Sequence, residues 1–235
     1  MSPPKPTNTQ DRIRRILDDL EAVRENPLAL SDDIWLSIDH NDNDSLEEAV
    51  QFKLSYNKKM ADFDALAAEL SALIQQQTSV RPEDDEQTGR DNLERNERII
   101  KELNREEPHQ LDEHFTFKRP YGFILDGQAT KGVTTWRRLF ELVCRQLQQR
   151  APERFASLPQ HPDFISNRGH PSFSRDPKQL RAAMLINDGI HAEINLSANS
   201  ICDMIRRLLI FYEIPIEKLQ LFLREDRDAD QTHGP

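Results

Sequence analysis

Between Leu46 and Gln77 the chain runs 32 residues without proline or glycine, and that stretch constrains the fold more than any other. Within it Tyr56, Met60, Phe63, Ala67, Leu70 and Ile74 are spaced 4, 3, 4, 3 and 4 residues apart. That is the a/d rhythm of a coiled-coil seam, and Leu66 and Leu73 widen it. A helix of this length extends about 50 Å at 1.5 Å per residue. Such a rod cannot bury an apolar seam by itself. It needs a helix folded back on it, a second copy or another protein. From Gln10, Ile13, Leu17, Leu20 and Arg24 share a helical stripe, with Ile16 and Val23 beside it. Residues 10–80 therefore read as a helical hairpin or coiled-coil region. Its expected oligomerisation seam is Tyr56, Met60, Phe63, Leu70 and Ile74, and a hairpin that also dimerises is the preferred arrangement.

Local signals divide this region further. Asn26-Pro27 predicts the end of the first helix, because proline disfavours helical geometry in the residue before it. Ser31 is a good N-cap, and Asp32 and Asp33 suit a helix start, so a short separate helix carries Ile34, Trp35 and Ile38. Asp39 to Asp44 has the look of a calcium loop, but the sixth and twelfth positions hold Asp44 and Val50, where an EF-hand needs Gly and Glu. A polar turn with its N-cap at Asp44 or Ser45 is the better reading.

The net charge of -10 is unevenly spread. Residues 1–117 hold 14 Lys+Arg against 27 Asp+Glu, and residues 118–224 hold 16 against 10. Two explanations compete: the halves neutralise each other, or a basic module sits beside an acidic docking module. Residues 1–9 read as disordered, and so does the acidic tail 225–235. Residues 81–110 read as an acidic linker carrying a weak helix (Leu93, Ile99, Ile100, Leu103), an element expected to order on a partner.

The second half, residues 111–224, is expected to be an α+β domain: a small mixed sheet with two covering helices. Phe115 to Phe117 and Tyr121 to Leu125 read as strands, and Asp126 to Thr134 as a loop. Trp136, Leu139, Phe140, Val143, Cys144 and Leu147 share one helix face, with Arg137, Arg138, Glu141, Arg145 and Gln148 on the other. Residues 151–181 are punctuated by proline. Asn187-Asp188-Gly189 between alternating apolar residues predicts a hairpin. A helix with Ile201, Met204, Ile205, Leu208, Leu209 and Tyr212 on its apolar stripe follows, and Leu219 to Leu223 is a last strand. The overall class is thus α+β, with an N-terminal helical hairpin.

Val133 to Leu147, the turn Pro171-Ser172-Phe173-Ser174 and the run Glu193-Ile194-Asn195-Leu196-Ser197-Ala198-Asn199 carry a resemblance. Through them residues 115–224 resemble an uncharacterised C-terminal α+β module associated with bacterial defence and mobile-element proteins. The resemblance implies an accessory or recognition role and no particular reaction.

Several chemistries fail on spacing. Gly127 to Thr134 reads GQATKGVT, so the lysine precedes the second glycine where a phosphate loop places it after. Cys144 and Cys202 are far apart and flanked by apolar residues, so they read as small core residues; the histidines are scattered, so zinc is not expected. Two cysteines exclude a disulfide framework and favour a reducing cytoplasm. The N-terminus lacks the apolar segment of a secretory signal, and no apolar run is long enough for a membrane helix. No cofactor is expected. Binding through cations is the best remaining chemistry: Lys118, Arg119, Lys131, Arg137, Arg138, Arg206 and Arg207 are the candidate contacts for nucleic acid or an acidic protein surface. Arg168, Arg175 and Arg181 are further basic groups of the same half.

The sequence thus favours a non-enzymatic adaptor. A protein partner or a second copy would dock through residues 10–80, and nucleic acid or an acidic surface through residues 118–207. The alternative is a small metal-dependent nuclease, or a nuclease subunit, built on Asp126 and Glu193.

Overall fold

Pro27 does not end the first helix. In the computed structural model, which describes residues 9–39, 42–78, 91–187 and 189–225, α1 spans Thr9–Leu36 with Pro27 inside it. The expected break and separate short helix are replaced by one element, and the reason lies in helix α2 (Asn43–Thr78). Tyr56 Oη donates to the Pro27 carbonyl at 2.7 Å, and Lys53 Nζ donates to Ser31 Oγ at 2.6 Å and to the Ser31 carbonyl at 3.3 Å. Ser31, expected as a cap, is a buried helical residue. Pairing along α2 outweighs the local cost of a proline in mid-helix. The turn before α2 is capped by Asp42, whose carboxylate accepts from both the backbone and the hydroxyl of Ser45. The cap thus lies two or three residues before the expected one.

The chain divides into two compact units, residues 1–89 and 90–235. The first contains the antiparallel hairpin of α1 and α2. Its core is thin: among the described residues Leu17, Ala22, Ala49, Met60 and Ala67 are its buried apolar side chains. At its centre Arg24 donates to Asp64 at 2.9 Å and to Glu21 at 2.6 Å.

The second unit begins with α3 (Asp91–Leu103) and continues through β1 (Pro120–Leu125), β2 (Gln128–Lys131), α4 (Trp136–Arg150), α5 (Pro152–Ser157), β3 (Phe173–Ser174), β4 (Ala183–Asn187), β5 (Ile190–Glu193), α6 (Ala198–Phe211) and β6 (Leu219–Leu223). The expected single sheet is two three-stranded antiparallel sheets, ordered β2-β1-β6 and β3-β5-β4. The hairpin expected around Gly189 is present, with Asn187 paired to Ile190; Asp188 lies outside the described residues.

Phe115–Phe117, expected as a strand, is a turn instead. Phe117 has φ +61°, the Phe115 N–H goes to Asn199 Oδ1 at 2.8 Å, and Trp136 Nε1 takes the Lys118 carbonyl at 2.8 Å. Side chains thus occupy backbone groups that a strand would offer to its ladder. Segment 126–134, expected as a loop, contains β2. A continuous core forms where α4 and α6 meet the strands, with Phe115, Phe123, Trp136, Phe140, Phe155, Phe164 and Phe173 all fully buried.

Helix α3 is also corrected. It packs Ile99 and Leu103 against Ile124 and Phe222. Asn96 closes the β1–β2 hairpin, donating to the Gly127 carbonyl at 2.8 Å and accepting from the Ala129 N–H at 2.7 Å. It is a covering helix of the second unit, so that unit starts about twenty residues earlier than the expected 111.

Candidate functional site

The expected seam of α2 does not face a single neighbour. Met60 and Ala67 are buried, Tyr56, Phe63 and Ile74 are half-buried, and Leu70 is 47% exposed. The buried residues of the helix are Ala49, Met60, Asp64, Ala67 and Ser71, a stripe of small and polar side chains. Larger apolar residues lie next to it and outside. Leu66 and Leu73 are 64% and 55% exposed, and Phe52, also exposed, stacks on Tyr56 with ring centroids 5.4 Å apart. Helix α1 repeats the pattern, with Leu17, Arg24 and Ser31 buried and Ile16, Val23 and Leu30 exposed one position earlier. Leu30 and Phe52 escaped the sequence reading. The signal that would have found them is the seven-residue spacing Ile16, Val23, Leu30 and the parallel row Phe52, Lys59, Leu66, Leu73.

The cation set changes more. Arg137, assigned to a polar helix face, is only 3% exposed. Arg206 donates to the Leu111 carbonyl and to Asp203, and so ties α6 to the segment after α3. Lys131 pairs with Glu102 of α3, and Arg138 pairs with Glu141, which also binds Arg145. Lys118 and Arg119 are half-buried, and the Arg119 N–H donates to Glu225. Of the seven candidates, Arg207 alone is exposed. The unit as bounded by its fold is also not basic: residues 90–235 hold 22 Lys+Arg and 22 Asp+Glu, and residues 1–89 hold 9 against 19. Residues 90–117 and the tail 225–235 each carry a net charge of -3, and together they cancel the +6 of residues 118–224. Exposed cations concentrate instead between β3 and β4 and just before β3: Arg168, Arg175, Lys178 and Arg181 share that segment with one acid, Asp176.

The two carboxylates of the nuclease reading are both committed to structural bonds. Glu193 accepts from the N–H groups of Arg181 at 2.6 Å, Asn195 at 2.7 Å and Ala182 at 3.1 Å. Asp126 lies in the β1–β2 turn at φ +46°. It is bonded to Arg150 and lies near Lys218, and these cations hold its carboxyl below the usual range. The two sit on different sheets. Among the described residues no cluster of His, Cys, Asp and Glu has the make-up of a metal site.

A cleft of about 260 Å³ opens beside the β1–β2 turn, lined by Leu125, Gln128, Gln146, Ile214 and the Asp126–Arg150 pair. Its walls hold no thiol, hydroxyl or imidazole. Cys144 and Cys202 are buried, and desolvation pushes both thiols well up, away from reactivity. No described helix is long and apolar enough to cross a membrane. Compared with known proteins, the chain matches no family model, no curated protein and no solved structure.

Proposed function

We propose that this protein is a non-enzymatic adaptor that assembles through its helical unit and recognises an acidic ligand through its α+β unit. The carrying observation is the row of large apolar side chains that the hairpin leaves in solvent, while Leu17 and Met60 are the only large apolar side chains among its described residues that it fully buries, beside alanines, serines and an ion pair. Contiguous apolar surface of this kind marks an interaction site.

For the second unit, the exposed cations clustered in residues 168–181 are better placed to receive phosphates or carboxylates than the helix arginines, of which Arg137, Arg138 and Arg206 are buried or bonded within the fold and Arg207 stands singly. Bacterial defence, suggested by the resemblance of residues 115–224, is the setting proposed for this activity.

Fluorescence anisotropy of the full chain tests the recognition half, with labelled duplex DNA, single-stranded RNA and a polyglutamate peptide as probes. Binding should weaken steeply between about 50 and 200 mM salt. It should fall several-fold in Arg168→Ala/Arg181→Ala and change little in Arg207→Ala. No binding to any probe at the lower salt would refute the recognition half. Magnesium-dependent cleavage of either nucleic acid, lost in Glu193→Ala with the fold intact, would refute the non-enzymatic reading.

A further inference from the structure

We infer that a second copy of this chain covers the apolar face of the hairpin, the two hairpins stacking with their turns at opposite ends to form a four-helix bundle. The inference rests on the reading of the helical unit as an assembly module, and it names the partner.

In α1 the exposed residues Ile16, Val23 and Leu30 each precede a buried one. In α2 Leu66 and Leu70 precede buried Ala67 and Ser71, and Leu73 precedes half-buried Ile74. One residue is about 100° of helix rotation. Reversing a helix axis mirrors the sense of that rotation. The contacts Arg24–Asp64, Pro27–Tyr56 and Ser31–Lys53 show that the pair is antiparallel. Both exposed rows therefore fall on the same side of the hairpin.

The rows also match in length and rhythm. Ile13 to Ile34 and Phe52 to Leu73 each cover 22 residues at alternating three- and four-residue spacing, and a single position in each is neither aliphatic nor aromatic, Pro27 in one and Lys59 in the other. A face about 32 Å long and two helices wide, roughly 20 Å, presents some 640 Å² per hairpin. Two such faces bury about 1,300 Å², within the range of stable specific interfaces.

Among the described residues no other element has a matching face. Residues 1–8, 79–90 and 226–235 contain only Met1 and Val80 as large aliphatic side chains. The exposed apolar residues of the second unit, such as Leu93, Leu185 and Ile210, lie singly on different elements. A second hairpin has the right length, spacing and width, as an isologous interface requires.

Charge sets the direction. Residues 30–48, around the turn, hold seven Asp+Glu and no Lys or Arg. The open end holds three Arg against Asp11 in residues 9–17, and Glu69 alone in residues 67–78. Opposed stacking puts each acidic turn beside the arginine-bearing end of the other copy, whereas aligned stacking would place two acidic turns together.

Light scattering and sedimentation of the full chain over about 1–100 µM test this directly. The wild type should show twice the 27.4 kDa chain mass. Leu66→Glu/Leu73→Glu should return it to the single-chain mass with unchanged far-UV helicity, because both side chains lie outside the hairpin's own core. A wild type of single-chain mass throughout, or a dimer that survives the double substitution, overturns the inference. Either result leaves the anisotropy titration free to succeed or fail on its own. A nitroxide on Ser37→Cys, with the native thiols buried, should lie about 40 Å from its copy across the dimer. A spacing below about 20 Å overturns the opposed arrangement.

Discussion

Glu193 shows how a residue suited to chemistry can be spent on architecture. Its two oxygens hold three backbone N–H groups, those of Arg181 and Ala182 before β4 and of Asn195 after β5. Glu193→Ala should lower the unfolding free energy by about 1 kcal/mol, read by urea denaturation, since it leaves two half-buried backbone donors, those of Ala182 and Asn195, without their acceptor. The sequence showed that Glu193 lies on the outer side of an alternating strand, but it could not show the amides converging on it, because they come from residues 181, 182 and 195. The same limit explains Arg137. Helical spacing placed it on the polar side, and only the packing around α4 shows that this side is covered.

Two carboxyls lend the molecule a pH dependence. Arg150 and Lys218 depress Asp126. Burial alone would raise Glu113, but hydrogen bonds from His109 and the Gln110 N–H depress it overall. A carboxyl with a lowered folded-state pKa stabilises above its unfolded value, and the effect is lost as pH falls through the folded one. Their contribution should therefore be intact at neutral pH and disappear below about pH 4. Asp126→Asn should flatten that part of the acid unfolding curve. The thiols give a complementary check: native protein should leave Cys144 and Cys202 unreacted toward a disulfide reagent at pH 8, and denaturant should release both.

Elements were most legible where periodicity was long. The rhythm of residues 46–77 gave α2, and α4 and α6 lie where their apolar stripes placed them. The failures share one cause, partners distant in sequence. The proline signal at 27 was correct locally and lost to Tyr56 and Lys53, which no window around residue 27 contains. Tyr56→Phe removes the hydroxyl that serves the Pro27 carbonyl and should cost about 1 kcal/mol of hairpin stability. The central ion pair makes a sharper test. Asp64→Ala should destabilise the hairpin by about 2–3 kcal/mol by undercutting buried Arg24, whereas Arg24→Leu/Asp64→Leu should be neutral or stabilising. Thermal melts followed at 222 nm separate the two. Helix α3 looked weak because half of its amphipathic reward lies on the sheet it covers. Leu103→Ala, at a fully buried position, should cost about 2–5 kcal/mol.

At the scale of the whole molecule, composition misled through a boundary. Dividing the chain at residue 117 produces an acidic half and a basic half; dividing it where the fold does leaves one strongly acidic unit and one neutral unit. Mutual neutralisation of two opposite poles therefore loses its basis. The strand order carries a further consequence, for the order of synthesis. Among the described elements β6 comes after all the others in sequence, yet it pairs along the full length of β1, and its other side binds His109. During synthesis the helical hairpin is therefore available well before that sheet, which cannot close until the roughly hundred residues between β1 and β6 have been made.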